Sequence, residues 1–284
     1  MIFTTLISTE TLAAHLDGSL VIADCRFDLT NEEAGRQAYT AAHIPGAVYV
    51  SLAHDLSAAP TGANGRHPLP TIQEMAATFG RLGIDASRQV VAYDDETGMF
   101  ASRLWWMLRY AGHDAVAVLD GGWTKWIRER RPTRSGVESH PPATFVPALR
   151  PEMRVEIGDV LGTLARHDGV LVDARGAERF EGRTEPLDRV AGHIPGAVNR
   201  HYKANLSADG TLLPPETLRT QLGAVLGAHA PAQTVMYCGS GVSACQNLLA
   251  MERAGMPGAK LYVGSWSEWS ADPSRPVETG PARR

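Results

Sequence analysis

A single cysteine, Cys238, sits where a short apolar run gives way to a loop of small residues, Gly239, Ser240, Gly241, Val242 and Ser243. The chemistry such a group can do is nucleophilic attack by a thiolate, because ionised sulfur is the reactive form and a loop of this kind stabilises it. Residues 234–237 read as a buried strand and 242–253 have the apolar spacing of a helix. The intervening N–H groups therefore converge on a helix N-terminus, where negative charge is favoured. Gly239 and Gly241 carry no Cβ, which predicts a backbone free to take unusual φ values and curl its amides around one sulfur atom. Ser240 and Ser243 add hydroxyl donors, and Ser243 is also placed to cap the helix. The competing reading is a buried structural cysteine beside a turn, since free cysteine is among the most buried residue types. The strand, glycine and helix context favours the nucleophile. Cys245 falls two turns into the expected helix and Cys25 ends an apolar run, so both read as packing residues.

The elements that must hold this loop are announced by an internal repeat. The run His43-Ile44-Pro45-Gly46-Ala47-Val48 recurs 150 residues later as His193-Ile194-Pro195-Gly196-Ala197-Val198, and Trp123 and Trp126 recur as Trp266 and Trp269 after 143. An apolar run ending in an acid and an arginine precedes each first landmark, as Asp24 with Arg26 and Asp173 with Arg175. One fold used twice explains the shared order. Short apolar runs at 20–23, 46–50, 90–93, 116–119, 170–173, 196–199, 234–237 and 260–263 alternate with helix-like segments, which predicts α/β domains, each with a mostly parallel central sheet flanked by helices. The proline-rich stretch 131–151 reads as a linker, giving expected domains at 1–138 and 139–284. Where the second half has Cys238 the first has Asp94, followed by Asp95 and Glu96, so one active site per chain is expected. Residues present in both halves, His43, His193, Asp24, Asp173, Arg26 and Arg175, read as structural. The tryptophans at i, i+3 read as core anchors.

Composition narrows the class. The chain has 284 residues, 44% hydrophobic and 20% charged, which suits a globular protein of about two domains. The first residues have no basic segment or long apolar core, and no apolar run reaches membrane-spanning length, so a cytoplasmic protein without membrane contact is expected. Three scattered cysteines exclude a disulfide framework and a four-ligand zinc site, and suit a reducing compartment. A net charge of −4 argues against nucleic acid as a partner. No metal or organic cofactor is expected, because no histidine and cysteine cluster has ligand spacing and no phosphate-binding glycine fingerprint follows a strand.

Taken in order, the Cys238 loop, both His-Ile-Pro-Gly segments, Trp105-Trp106-Met107, Asp120-Gly121-Gly122-Trp123 and Gly264-Ser265-Trp266 resemble the two-domain rhodanese-type sulfurtransferases, and the loop is most similar to the 3-mercaptopyruvate sulfurtransferase version. The resemblance implies two tandem rhodanese-like domains, the second catalytic. It implies a reaction in which Cys238 takes a sulfane sulfur from 3-mercaptopyruvate, holds it as a persulfide and passes it to a thiol such as thioredoxin or glutathione, or to cyanide. Thiosulfate-preferring relatives carry basic residues just after the cysteine, where this chain has Gly239 and Ser240; thiosulfate remains the alternative donor. Arg179 matches the family's carboxylate-binding arginine. The second such arginine has no direct match, and either Arg183 or Arg189 is placed to replace it. His67 resembles the histidine of a serine–histidine–aspartate relay, with Asp55 aligned approximately as its acid; a solvent-exposed loop histidine is the competing reading for His67.

A magnitude indicates what the loop contributes. Lowering a thiol's pKa by about two units raises its thiolate fraction at pH 7 roughly 25-fold, and the weaker nucleophile takes back roughly 8-fold. The larger gain comes from amides aimed in advance at the charge of the persulfide and the transition state. Two readings from other classes stand beside this one. A cysteine phosphatase uses a Cys-x5-Arg loop, but the sixth residue after Cys238 is Ala244 and no arginine occurs before Arg253. A protein-fed persulfide carrier or binding module would keep the cysteine and need no small-molecule donor.

Overall fold

The apolar runs pair side by side in two separate five-stranded sheets, every pairing parallel. The computed structural model describes residues 2–282. In the first half the elements run β1 (Leu6–Ile7), α1 (Thr9–Ala13), β2 (Leu20–Asp24), α2 (Glu32–Ala41), β3 (Ala47–Tyr49), α3 (Ile72–Arg81), β4 (Gln89–Tyr93), α4 (Met99–Tyr110), β5 (Val116–Leu119) and α5 (Gly122–Arg128). The second half repeats the plan as β6 (Arg154–Val155), α6 (Ile157–Arg166), β7 (Val170–Asp173), α7 (Ala177–Phe180), β8 (Val198–Asn199), α8 (Pro215–Leu226), β9 (Thr234–Tyr237), α9 (Ala244–Arg253), β10 (Lys260–Tyr262) and α10 (Ser265–Trp269). The sheet orders are β1-β5-β4-β2-β3 and β6-β10-β9-β7-β8, the same order twice.

Parallel strands covered by helices on both faces read as continuous apolar runs, and β2, β5, β7 and β9 are buried along their whole length. The middle strand of each sheet, β4 or β9, delivers the loop of interest at its C-terminal end, where parallel sheets place their sites. The two-residue edge strands β1 and β6 are too short to carry a periodicity, and the sequence pattern does not reveal them. No helix among the described residues is long and apolar enough to cross a membrane.

The chain divides into two compact units: 1–58, 69–150 and 207–212 in the first, and 59–68, 151–206 and 213–284 in the second. The stretch 131–150 has no helix or strand of its own. It runs over the first unit through Ala143 N–H to the Gly80 carbonyl at 2.9 Å and Ala148 N–H to the Ala111 carbonyl at 2.8 Å. Segment 59–68, encoded in the first half, belongs to the second unit, which brings Arg66 and His67 to that unit's site.

The repeated landmarks do the same structural work in each unit. Arg26 binds Asp24 through Nη2 at 2.6 Å and reaches the Ala42 carbonyl; Arg175 binds Asp173 at 2.6 Å and reaches the Gly192 carbonyl. Each guanidinium also lies over a tryptophan, Trp123 at 4.5 Å and Trp266 at 4.9 Å to the ring centre. His43 and His193 are buried, and each Nδ1 bonds a backbone carbonyl while its Nε2 faces Glu138 or Glu278. Trp126 and Trp269 are fully buried and donate to the Pro132 and Pro276 carbonyls, each at 2.9 Å.

Candidate active site

Cys238 follows β9 directly and is buried, its backbone fixed from both sides by the turn into α10. Its N–H donates to Ser265 Oγ at 3.1 Å, and its carbonyl accepts from Trp266 N–H at 2.9 Å. Ser265 holds φ +54, a left-handed conformation that is costly for a residue with a Cβ. The strain places its hydroxyl between Cys238 N–H and the Tyr262 carbonyl at 2.9 Å. The corresponding residue of the first unit is Gly122, at φ +56. Serine at a position where the copy has glycine was the available sign of this role, visible once the tryptophans were aligned.

The loop's two glycines serve different purposes. Gly241 has φ +74, and a Cβ there would lie 2.3 Å from the Val263 carbonyl oxygen, so both conformation and space demand glycine. Gly239 does not adopt a left-handed φ, contrary to the expectation for it. Two guanidiniums lie against its open side: a Cβ there would be 2.8 Å from Arg66 Nη2 and 3.5 to 3.6 Å from the Arg179 Nη2 and Nη1 atoms. The helix begins at Ala244, two residues later than the apolar spacing predicts, and Ser243 occupies the N-cap position without a side-chain capping bond. The N–H groups of Gly239, Ser240, Val242 and Ser243 donate to no protein acceptor among the described residues. They are open to an anion.

Ser240, 7% exposed, shares a 2.8 Å hydrogen bond between its Oγ and His67 Nδ1, so the half-buried His67 stands against the loop rather than in solvent. Asp55 belongs to the first unit, where its carboxylate accepts from Ser51 N–H at 2.8 Å and pairs with Arg81. Arg179 lies on α7 with one edge of its guanidinium on Glu185, Nε at 3.1 Å and Nη2 at 2.6 Å, and a further contact from Nη2 to Asp188 at 3.3 Å. Burial works against the charge of Glu185, yet bonds from Arg179 and from the Leu187 and Asp188 N–H groups hold its carboxyl below the usual range. Arg66, which sequence reasoning passed over, pairs with the other oxygen of Asp188. Arg183 is mostly exposed and pairs with Glu181 at 2.9 Å; Arg189 is exposed. The structure thus gathers Cys238, Gly239, Ser240, Gly241, Val242, Ser243, His67 and Arg179 at one place and adds Arg66, Glu185, Asp188 and Ser265. Arg66, Glu185 and Asp188 carried no local motif, since their meaning comes from contacts formed across the fold.

The remaining thiols are packed. Cys245 is fully buried and its Sγ donates to the Gly241 carbonyl at 3.4 Å. Burial and neighbouring Asp24 push the Cys25 thiol well above its ordinary range.

The first unit repeats the loop with a different occupant. Asp94, buried at the end of β4, accepts from Gly98 N–H at 2.8 Å, Phe100 N–H at 2.8 Å and Ala101 N–H at 3.2 Å. Burial outweighs those bonds and raises its carboxyl to about 6. At the offset of 144 residues Gly98 corresponds to Val242, whose N–H has no acceptor among the described residues, whereas Ala101 corresponds to Cys245, whose N–H bonds the Val242 carbonyl at 3.0 Å.

Known proteins resemble this chain along nearly its whole length. The model of the rhodanese-like domain matches residues 8–129 and 158–272. The chain is 42% identical to a Pseudomonas aeruginosa protein named as a probable 3-mercaptopyruvate sulfurtransferase, over 97% of this chain and 98% of that one. It is 41% identical, over 92% of this chain and 91% of the other, to a Mycobacterium tuberculosis protein that carries the name of a thiosulfate sulfurtransferase. A crystal structure of a 3-mercaptopyruvate sulfotransferase from Escherichia coli superposes with a TM-score of 0.81 at 32% identity, covering 93% of this chain and 99% of that one.

Proposed function

Because the chain belongs to the rhodanese-like family, with one such domain in each half, we propose that it is a sulfurtransferase that takes sulfur from 3-mercaptopyruvate on Cys238. The observation that carries the reading is the buried Cys238 at the end of β9, followed by a loop in which the N–H groups of Gly239, Ser240, Val242 and Ser243 have no protein acceptor among the described residues.

In the first displacement the Cys238 thiolate attacks the donor sulfur. A sulfur–sulfur bond forms, the donor carbon–sulfur bond breaks, and its electron pair leaves as the enolate of pyruvate. The thiol proton of the donor ends on that carbon, giving pyruvate and a Cys238 persulfide anion. In the second displacement an acceptor thiolate or cyanide attacks the outer sulfur and restores the Cys238 thiolate. Negative charge stays beside Cys238 throughout, so amides fixed in advance are more effective than a proton shuttle. Ser240, oriented by His67, adds a hydroxyl donor on the same side; Asp55 as the acid of a relay stays a secondary proposal. Arg179, clamped by Glu185, holds the donor carboxylate.

Thiosulfate is the second donor, favoured by the name of the Mycobacterium tuberculosis relative. Acceptors of the thioredoxin or glutathione class, or cyanide, complete the cycle. A cytoplasmic setting fits three unpaired cysteines. Steady-state transfer from each donor tests the assignment: kcat/KM higher for 3-mercaptopyruvate than for thiosulfate supports it. A thiosulfate preference would reverse the donor order, and a single stoichiometric sulfur load without turnover would make the protein a carrier.

A further inference from the structure

The geometry points to Arg66 as the second cation for the donor carboxylate, paired with Arg179 across Gly239. The inference rests on 3-mercaptopyruvate as donor. A donor whose sulfur meets Cys238 can set its carboxylate beside the next residue, Gly239, whose Cα is about 3.8 Å from that of Cys238. Both guanidiniums are there: the Cβ position of Gly239 is 2.8 Å from Arg66 Nη2 and 3.6 Å from Arg179 Nη1.

Each arginine is anchored by one part and open at another. Arg66 spends Nη1 on Asp188, and Arg179 spends Nε and Nη2 on Glu185 and Asp188. Arg66 Nη2 and Nε, and Arg179 Nη1, donate to no protein acceptor among the described residues. The anchoring carboxylates are nearly sealed, with side chains 5% and 3% exposed, while those of Arg66 and Arg179 are 29% and 21% exposed. The negative partners are therefore buried while the arginines that hold unused donors are part-exposed. Two close cations repel, and Asp188, bonded to both, offsets that repulsion and fixes their spacing. The backbone of Arg66 is held as well: its N–H donates to Ser267 Oγ at 3.0 Å, and the following residue, His67, bonds Ser240. Neither sequence candidate has this placement, since Arg183 pairs outward with Glu181 and Arg189 is exposed.

The test compares wild type, Arg66→Gln and Arg66→Lys on 3-mercaptopyruvate and on mercaptoacetone, which keeps the thiol and ketone and replaces the carboxylate by a methyl group. A lost charge-assisted contact corresponds to about a 10- to 100-fold loss of kcat/KM. Arg66→Gln is expected to lose that factor on 3-mercaptopyruvate, to stay within about twofold of wild type on mercaptoacetone, and to bind pyruvate correspondingly more weakly by titration calorimetry. Arg66→Lys is expected to recover part of the loss. Equal losses on both donors, or no loss on 3-mercaptopyruvate with unchanged pyruvate affinity, would overturn the assignment of Arg66 alone. Wild type that takes no sulfur from 3-mercaptopyruvate would instead sink the donor assignment beneath it.

Discussion

In the first unit the residue after the middle strand is an acid whose carboxylate takes up three N–H groups of the loop and helix start, whereas the second unit has a thiol there and four loop N–H groups without a protein acceptor among the described residues. Asp94 and Cys238 occupy the same place, 144 residues apart, after tyrosines that make matching contacts: Tyr93 Oη and Tyr237 Oη each accept from an isoleucine N–H at 3.3 Å. The loops are tied down alike, Trp123 N–H to the Asp94 carbonyl at 2.8 Å and Trp266 N–H to the Cys238 carbonyl at 2.9 Å. What differs is the side chain at the strand end and the charge around it. Asp94 binds N–H groups of its own loop and is followed by Asp95 and Glu96; Cys238 is followed by Gly239, beside which lie the guanidiniums of Arg66 and Arg179. The same fold therefore carries an acid at one strand end and a thiol at the other, with charge of opposite sign beside each.

The comparison breaks most severely at the nucleophile. Cys238→Ser is expected to lose transfer by more than about a thousandfold, while Cys245→Ser, altering a buried packing thiol, keeps most of it. The converse exchange, Asp94→Cys, is expected to gain no sulfur from 3-mercaptopyruvate in intact mass spectra when combined with Cys238→Ser, because the acidic loop repels the donor. A sulfur gain there would mean that the arginines of the second unit are dispensable.

Next in size is the loop's backbone. Gly241→Ala forces a Cβ against the Val263 carbonyl at a left-handed φ and is expected to cost about 1–3 kcal/mol of stability with at least a tenfold fall in kcat. Ser265→Ala leaves the buried Cys238 N–H without its acceptor, and chemical denaturation is expected to show a loss of about 1–3 kcal/mol.

Asp94 gives the comparison a pH signature. Its folded carboxyl titrates at about 6, above the ordinary aspartate value, so the folded state binds the proton more tightly than the unfolded chain. Stability contributed by this group is present at low pH, falls as pH rises between about 4 and 6, and is constant above that. The span amounts to about 3 kcal/mol. Asp94→Asn is expected to flatten that part of the curve, measured by urea unfolding across the window; an unchanged slope would assign it elsewhere. The smallest effect is expected at Arg183, where Arg183→Ala breaks an exposed pair worth less than about 1 kcal/mol and should leave KM for 3-mercaptopyruvate within about twofold.

The fold was legible because the repeat supplied it twice. Runs at 116–119, 170–173 and 234–237 coincide with β5, β7 and β9, since strands buried on both faces are written as continuous apolar residues. The Cys238 loop with its glycines and Arg179 were legible as candidates because they lie in short motifs, and the structure brings them together. Arg66, Asp188 and Glu185 were not, because their roles arise from packing segment 59–68 and the turn after α7 against the Cys238 loop, a contact between distant parts of the chain. Gly239 shows the same limit in reverse: glycine was expected there for backbone freedom, and the structure shows an ordinary φ with a guanidinium against its open side.

Intact mass spectrometry after treatment with 3-mercaptopyruvate tests the central claim most directly. Wild type, Cys25→Ser and Cys245→Ser are expected to gain the mass of one sulfur and lose it to an added thiol or cyanide, while Cys238→Ser gains none. A sulfur that still appears on Cys238→Ser, or that fails to appear on wild type, would contradict the account built around Cys238.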